Sequence, residues 1–224
     1  MAQFVHFSAP PNGPLERGGS GTASLEAASH NLPAPRAPEQ GSFPIAPLYP
    51  VRVRLRDGTE ISIRPITPGD AEREQAFVRA LSAESRFYRF MSTMRELSPE
   101  MLQRFTHPDP RRDVALVALT GQGEQLRQIG VARCAGDEAC QQAEFAVVVA
   151  DELQNRGVGR RLLCELIRAA RAIGLRELWG DILVTNRRML SLMTALGFEL
   201  RSAPSDPVLV RARLSLHDND QLPT

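Results

Sequence analysis

Residues 154–159 have the sequence QNRGVG, and they lie between a predicted strand that ends at Val149 and an amphipathic segment that stops at Gly174. The first residues of a helix expose backbone N–H groups without an intrahelical acceptor, at the positive end of the helix dipole. Glycines at such a point let an anion approach the backbone closely. Strand, glycine turn and helix together predict a site for a phosphate-bearing ligand, with pyrophosphate as the expected guest.

Local charge strengthens this prediction, because Arg156, Arg160 and Arg161 place charge-assisted donors around the turn. The whole chain has 27 basic and 26 acidic residues, so its bulk charge favours neither a nucleic acid nor an anionic membrane as partner. The turn lacks both the GxGxxG pattern with a later acid and the GK[ST] of a P-loop. A pyrophosphate carrier other than a dinucleotide or nucleoside triphosphate is therefore favoured, and a plain turn with solvated arginines is the alternative.

Hydrophobic periodicity predicts a mixed α/β domain around this turn. The predicted order is a β-hairpin, two helices, three neighbouring antiparallel strands, a helix, a strand, a helix and one or two final strands, which is not a doubly wound alternation. The hairpin begins at Val51, and the first two helices begin near Thr67 and Ser98. Later strands are predicted at residues 114–119, 128–134, 143–149, 178–184, 198–200 and 208–216, and the last helix at residues 186–196.

The ends of the chain differ from this domain in composition. Nine of the 17 prolines lie in residues 1–50, interleaved with glycine, serine and alanine. Such a segment buries too little apolar surface to offset its ordering entropy, so it is predicted to be a disordered tail. The predicted domain covers residues 51–216, and residues 217–224 are predicted to be a C-terminal tail.

Other compositional features exclude several classes of protein. The three cysteines form no CxxC pair and the four histidines lie far apart in sequence, so neither a disulfide framework nor a metal site is predicted. The chain shows no signal-peptide pattern and no apolar run of membrane-spanning length. We therefore expect a cytoplasmic protein without a membrane or nucleic-acid partner, as a monomer or a homodimer.

The chain resembles the GNAT superfamily of N-acetyltransferases over about residues 59–216. The resemblance rests on Gln154, Gly157 and Gly159 after a strand, followed by a helix, a strand, Asn186 and the pair Gly197-Phe198. It implies a splayed mixed sheet, in which parallel strands at residues 143–149 and 178–184 part to admit acyl-CoA. Acetyl-CoA is then the expected cosubstrate, and no metal is expected.

The resemblance also implies which residues bind this cosubstrate. In the family, the end of the first parting strand pairs with the pantetheine arm, the glycine loop holds the pyrophosphate, and an asparagine lies near the pantetheine. The implied binding residues are Val147, Val148, Val149, Gln154, Asn155, Arg156, Gly157, Val158, Gly159, Arg160 and Asn186.

A closer likeness concerns the acceptor. Residues 82–104, 143–147 and 186–190 are similar to the acetyltransferase domain of bacterial protein lysine acetyltransferases that modify acyl-CoA synthetases. This likeness implies a primary amine as acceptor, with a protein lysine preferred over a small-molecule amine. A non-catalytic acyl-CoA-binding regulatory module is a further alternative. An interaction protein built on the proline-rich tail is disfavoured, because it leaves the glycine turn unexplained.

Amine acetylation requires a neutral nucleophile, yet only about one lysine in a few thousand is neutral at pH 7. A general base is therefore useful. Glu144 lies in an otherwise apolar strand, and the resemblance implies that it is this base. Its apolar neighbours Ala143 and Phe145 are expected to raise the pKa of Glu144 by desolvation. The alternative is a polar residue on the solvated face of a strand.

The acid that protonates the departing thiolate stays unassigned by the sequence. Many GNAT enzymes place a tyrosine seven residues after the asparagine, and here Met193 occupies that position. Water or Tyr88 remains as a source of the proton. The loss of the tyrosine is also the feature that keeps the non-catalytic alternative open.

A truncated chain that begins at Val51 is expected to keep acetyl-CoA binding and turnover, because the composition of the preceding residues does not support a packed core. Limited proteolysis should remove that segment first. Calorimetry and a turnover assay on the full and truncated chains check this expectation. An insoluble or inactive truncated protein would show that the segment is part of the domain.

Overall fold

The computed structural model describes residues 49–137, 139, 141–203 and 206–216, so the two predicted tails lie outside the described residues except for Tyr49 and Pro50. The described ranges form one eight-stranded sheet and five α-helices. The strands are β1 (Val51–Arg54), β2 (Glu60–Pro65), β3 (Asp113–Thr120), β4 (Arg127–Gly136), β5 (Gln142–Val149), β6 (Glu177–Leu183), β7 (Glu199–Ser202) and β8 (Leu209–Ser215). The helices are α1 (Ala71–Ala80), α2 (Ala83–Phe90), α3 (Pro99–Thr106), α4 (Val158–Ala172) and α5 (Arg187–Ala195).

The sheet is mixed, as the sequence predicts, and its strand order is β1-β2-β3-β4-β5-β6-β8-β7. Strands β1 to β5 pair as antiparallel neighbours, and β6, β8 and β7 form a second antiparallel group. The two groups meet at the parallel pair of β5 and β6. The prediction of three neighbouring antiparallel strands in the middle of the chain is therefore confirmed for β3, β4 and β5.

The parallel pair holds together only at its beginning. The β5–β6 register runs from Gln142 opposite Glu177 to Glu144 opposite Trp179 and then stops. Beyond this point β5 stays paired with β4 as far as Val149, and β6 stays paired with β8 as far as Leu183. The two strands thus diverge because each remains bound to its other neighbour, and the predicted parting of the sheet is confirmed.

Helices cover the two faces of the sheet and fix the direction of β5. On one face α4 buries Leu162, Leu163, Leu166 and Ile167 in the same cluster as Phe145. Complete burial of one such leucine contributes about 1.5–3 kcal/mol. On the other face, Phe77 of α1, Phe90 of α2 and Phe105 of α3 pack in the same cluster as Val148. Alternate residues of β5 therefore belong to different layers.

The structure corrects the prediction of two helices between the hairpin and β3, because three are present. The helix that the sequence analysis missed is α2, which has eight residues. Leu81 has an extended backbone that ends α1, and the Ser82 hydroxyl then accepts the N–H of Ser85 at 3.1 Å as the cap of α2. Neither a glycine nor a proline marks this boundary, so hydrophobic spacing alone did not separate the two helices.

Two contacts fix the N-terminal part of the described chain. Tyr49, which falls in the segment predicted to be a tail, packs against the core and donates its hydroxyl to the Glu165 carbonyl at 3.3 Å. Asp70, which is 1% exposed, accepts both terminal nitrogens of Arg64 at 2.7 Å. It also accepts the backbone N–H of Thr67 at 2.9 Å, so Thr67 and Asp70 form a capping box at the helix start that the sequence predicts near Thr67.

Asp70→Asn is expected to lower the free energy of unfolding by about 2–3 kcal/mol at pH 7, because it breaks a largely buried ion pair. Burial alone raises the pKa of Asp70, but hydrogen bonds from Arg64 and Thr67 outweigh it and lower this pKa to about 2. The Asp70 carboxylate therefore stabilises the folded protein fully above the pKa that it has in the unfolded chain. This stabilisation disappears as the pH falls from about 4 to 2.

Urea unfolding of the native and Asp70→Asn proteins at pH 7 and pH 2.5 measures this difference. Exposed Glu72→Gln, at the start of the same helix, is the control and should change the free energy of unfolding by less than about 0.5 kcal/mol. If Asp70→Asn lowers the free energy of unfolding by the same amount at both pH values, the stability does not come from the ionised carboxylate.

Candidate functional site

A cavity of about 220 Å³ opens where β5 and β6 part. We call it the cleft; the end of β5, the turn before α4, the start of α4 and one side of α5 form its walls. Its lining residues are Val147, Val149, Gln154, Asn155, Gly157, Gly159, Arg160, Arg188, Met189 and Leu192. The structure thus brings seven of the predicted binding residues together. The three from α5 were not predicted, although Arg188 and Leu192 are four residues apart and share a helix face.

The edge of β5 that faces the cleft carries backbone groups without a strand partner. Ala150 donates its N–H to the Ile129 carbonyl beside β4 at 2.9 Å. Along an antiparallel strand, the backbone groups of alternate residues point to opposite neighbours. The groups of Val148 therefore face β4, and those of Val147 and Val149 face the gap that β6 has left. A strand-like ligand fits this edge.

Strand alternation gives Val148 a different orientation from Val147 and Val149. Its backbone faces β4, and its side chain packs in the cluster formed with α1, α2 and α3 on the other face of the sheet. Val158 is also a special case, since its side chain is 0% exposed and lies in the core. Only the backbone N–H of Val158 is available to a ligand.

The turn before α4 has the backbone geometry of an anion site. Asn155 and Gly157 have positive φ angles of 62° and 91°, which asparagine and glycine adopt more readily than other residues. The first helical hydrogen bond after the turn runs from the Arg161 N–H to the Gly157 carbonyl. The N–H groups of the three residues 158–160 have no acceptor within the helix. No acid occupies the first turn of α4, so the positive end of the helix faces the cleft unopposed by its own side chains.

Gln154 is placed at the cleft, but its side chain holds the turn in position. Its amide nitrogen donates to the Val149 carbonyl at 3.2 Å and to the Ser85 hydroxyl at 3.1 Å. Ser85 and Ser82 in turn donate to Asp151 at 2.7 Å. The turn is therefore tied both to the end of β5 and to α2.

Arg156 points away from the cleft toward the hairpin of β1 and β2. Its guanidinium donates to Asp57 at 2.7 Å, and its side chain is 48% exposed. The backbone N–H of Thr59, followed by its side chain and by Arg156, lowers the pKa of Asp57 to about 2. Asp57 is thus an anion throughout the physiological range, and the structure does not place the charge of Arg156 in the cleft.

A larger groove of about 840 Å³ adjoins the cleft between the hairpin and α4. It shares Asn155, Gly157 and Arg160 with the cleft. Among the residues that the structure describes, six arginines and two acids line it; the acids are Asp57 and Glu165, and the arginines are Arg54, Arg56, Arg156, Arg160, Arg161 and Arg168. The local excess of positive charge predicted from the sequence is present, and it suits a ligand with several phosphate charges.

Glu144 is the last residue of β5 that is paired with β6, so it lies at the point where the strands part. It is 8% exposed. By strand alternation its side chain lies on the face of α1, α2 and α3, opposite to the side chains of Val147 and Val149. A group on that face reaches the fork from the side opposite to the cleft.

Asn186, Tyr88 and Met193 have distinct positions in the structure. Asn186 is 4% exposed and caps α5, where its side-chain oxygen accepts the Met189 N–H at 3.2 Å. It lines a cavity of about 300 Å³ together with Tyr88 and Gln154. Met193 is 0% exposed in the core. Tyr88 therefore lies beside Gln154 and Asn186, at the end of the opening between β5 and β6, whereas the Tyr49 hydroxyl donates to the Glu165 carbonyl.

Three further findings concern metals, thiols and membranes. Among residues 49–137, 139, 141–203 and 206–216, no group of three or more histidine, cysteine or acidic side chains is arranged to hold a metal ion. Burial raises the pKa of Cys134 to about 12 and also raises the pKa of Cys164, and Cys140 lies outside the described residues. None of the helices in the described part combines the length and the apolar character that crossing a membrane requires.

Known proteins resemble this chain in sequence and structure. The family model described as an acetyltransferase (GNAT) domain matches residues 60–199. An acetyltransferase of Pseudomonas aeruginosa is 36% identical over 162 residues, which are 72% of this chain and 87% of that protein. Acetyltransferase Pat of Mycolicibacterium smegmatis is 30% identical over 67% of this chain, which spans only 44% of Pat. The crystal structure of the GNAT domain of S. lividans PAT matches with a TM-score of 0.67 at 30% identity, over 74% of this chain and 96% of that one.

Gly159→Val is expected to lower the affinity for acetyl-CoA by about tenfold or more, because its methyl groups overfill the cleft. A Cβ at this position would lie 3.6 Å from Val149 and 3.9 Å from Leu192, which are ordinary contacts. Gly159→Ala is therefore the matched control and should bind nearly as the native protein does. Calorimetric titration, with thermal unfolding to verify the fold, measures the effect. Equal affinities of the valine and alanine variants would show that the cleft does not hold the cosubstrate.

Proposed function

Because this chain belongs to the GNAT family of acetyl-CoA-dependent N-acetyltransferases, we propose that it acetylates the side-chain amine of a protein lysine. The observation that carries the proposal is the position of Glu144 at the fork of β5 and β6, with the cleft on the opposite face. A donor in the cleft and an acceptor beside Glu144 meet at this fork. Transfer then takes place by direct attack in a ternary complex.

Acetyl-CoA is bound mainly by backbone groups rather than by side chains. The pantetheine arm lies along the free edge of β5 and pairs with Val147 and Val149 as a further strand would. The pyrophosphate sits at the N–H groups of residues 158–160. Arg160 and Arg161 line the adjoining groove and balance the phosphate charge.

The acceptor half assigns proton transfer to Glu144. The lysine arrives mainly as an ammonium ion, and Glu144 takes a proton from it. The neutral amine attacks the thioester carbonyl, and backbone N–H groups at the parting of β5 stabilise the developing oxyanion. The carbon–sulfur bond then breaks, the new amide nitrogen loses its second proton to water, and the CoA thiolate receives a proton from water or from Tyr88. Glu144 afterwards returns its proton to the solvent, so that one proton is released for each acetyl group transferred. Tyr88 is favoured over Met193 for this role because it carries an acidic hydroxyl and lines a cavity with Gln154 and Asn186, whereas Met193 is buried in the core.

The surface beside Glu144 supports a protein as acceptor. Trp179, which is paired with Glu144, is partly exposed, and the Arg211 guanidinium lies 4.4 Å above its ring. Arg211 also forms two hydrogen bonds with Asp181, at 2.7 and 2.6 Å. These side chains extend outward across β6 and β8, which suits a macromolecular acceptor better than a closed pocket would. The resemblance to bacterial protein lysine acetyltransferases points the same way.

Incubation of a bacterial lysate with the protein and isotopically labelled acetyl-CoA, followed by mass spectrometry, tests the acceptor. The proposal expects label on lysine side chains of proteins. Label confined to small amines would establish the small-molecule alternative. Absence of label from both pools, in a protein that binds acetyl-CoA, would favour the non-catalytic binding module.

Glu144→Gln is expected to keep the affinity for acetyl-CoA while turnover falls by roughly 10²- to 10⁴-fold, because the amide cannot accept the proton of the ammonium ion. The loss should shrink as the pH approaches the pKa of the acceptor amine, where the nucleophile is already neutral. Steady-state rates between pH 6 and 10, with calorimetry for binding, measure both effects.

Glu177→Gln is the matched control, since Glu177 lies at the start of the neighbouring strand and pairs with Arg213 at 2.7 Å. Its turnover should stay close to that of the native protein. A Glu144→Gln protein with native turnover between pH 6 and 8 would remove Glu144 from the mechanism.

A further inference from the structure

Four charged side chains are buried together beneath α1, α2 and α3. Glu74 of α1 is 2% exposed, Arg89 of α2 3%, Arg133 of β4 6% and Glu144 of β5 8%. Removal of a charge from water costs several kcal/mol unless an opposite charge is close to it. Each of these four charges therefore needs an opposite charge nearby.

Glu74 and Arg133 form one pair in this cluster. The Arg133 guanidinium donates to Glu74 at 2.9 Å and to the Phe105 carbonyl at 3.2 Å. It also lies 4.2 Å from the centre of the Phe105 ring. Gln128 donates to the second oxygen of Glu74. The charge of Glu74 is thus balanced on β4.

Arg89 brings a second positive charge to the same place. Its guanidinium lies 4.8 Å from the centre of the Phe90 ring and 5.6 Å from that of Phe105, so Arg89 and Arg133 contact one aromatic ring. Two like charges this close in a buried site repel each other, which raises the free energy of burying each of them. A second carboxylate is needed to balance them.

Glu144 is in position to supply that carboxylate. Arg133 is paired with Ala146 of β5, and Glu144 is two residues away on the same strand and the same face. Burial and Arg133 lower the pKa of Arg89 to about 9, while the negative charges of Glu74 and Glu144 oppose this shift. Glu144 therefore acts electrostatically on Arg89.

The other charged groups around Glu144 have identified partners. On β8, beyond β6, Arg211 acts on Glu144 electrostatically, but its two hydrogen bonds bind Asp181. On α3, Arg104 lies 5.7 Å from the centre of the Phe105 ring and acts on Arg133. Arg89, by contrast, is 3% exposed and belongs to α2, a helix that contacts β5.

We infer that Arg89 is a positioning residue for the reaction: its buried guanidinium is the counter-ion of Glu144 and holds this carboxylate ionised at the fork. The inference rests on the proposed function for the role of Glu144 as base. It explains why Glu144 is deprotonated and able to accept a proton, since a glutamate among apolar side chains would otherwise retain its proton. The desolvation expected from Ala143 and Phe145 is then opposed from α2.

The test compares the native protein with Arg89→Met and Arg89→Lys. Loss of the cation in Arg89→Met should raise the pKa of Glu144 by about one unit or more, and Arg89→Lys, which keeps the charge, should stay near the native value. A ¹³C NMR titration of the Glu144 carboxyl, assigned with Glu144→Gln, measures this directly. The acidic limb of the kcat/KM profile should move upward in parallel.

Arg133→Met is the matched control, because it removes a buried arginine of the same cluster that is paired with Glu74. It should destabilise the protein while moving the Glu144 titration less than Arg89→Met does. An unchanged titration in folded Arg89→Met would overturn the inference, and so would an equal shift in Arg89→Lys. The titration needs no turnover, so this failure is distinct from a failure of the proposed activity.

A second measurement applies even where Arg89→Met does not fold. Removal of one partner of a buried pair leaves the other charge unbalanced, so Glu144→Gln should lower Tm by roughly 5 °C or more at pH 7. Glu177→Gln, whose ion pair with exposed Arg213 lies at the surface, should change Tm by much less. Equal Tm values for Glu144→Gln and the native protein would overturn the inference.

Discussion

The parting of β5 from β6 after Glu144 is the constraint on which the rest of the structure depends. An open gap inside a sheet exposes backbone hydrogen-bonding groups, and the gap persists because each strand is bound on its other side, β5 to β4 and β6 to β8. Packing of α4 on one face and of α1, α2 and α3 on the other holds β5 in place at the edge of the gap. The glycine turn at residues 154–159, the free edge of β5 and Glu144 are all arranged around this opening.

A single strand serves both partners of the proposed reaction because its residues alternate between two faces. Val147 and Val149 line the cleft, whereas Glu144 and Val148 lie on the opposite face. The donor and the acceptor therefore approach the fork from opposite sides of the sheet. Neither has to leave before the other arrives, which is the geometric requirement for direct attack.

Features that depend on local spacing were predictable from the sequence, and those that depend on distant partners were not. The strands, the turn at residues 154–159, helix α4 and the strand that holds Glu144 follow from periodicity and from glycine positions. The contact of Arg156 with Asp57 joins residues 99 positions apart, and that of Gln154 with Ser85 joins residues 69 apart. The sequence around Arg156 and Gln154 does not predict these distant partners. The prediction named three consecutive residues of β5, and only the structure distinguishes Val147 and Val149, which line the cleft, from Val148, which does not.

The ion pair of Arg156 and Asp57 also bears on how the site responds to salt. Both side chains are partly exposed, at 48% and 34%, and they stand at the rim of the arginine-lined groove. A ligand phosphate that recruits Arg156 replaces one anion with another, so the guanidinium exchanges partners and gains little net charge neutralisation. Ionic strength weakens the old pair and the new contact together. Affinity for an anionic cosubstrate should therefore fall less steeply with salt than the number of arginines around the groove suggests.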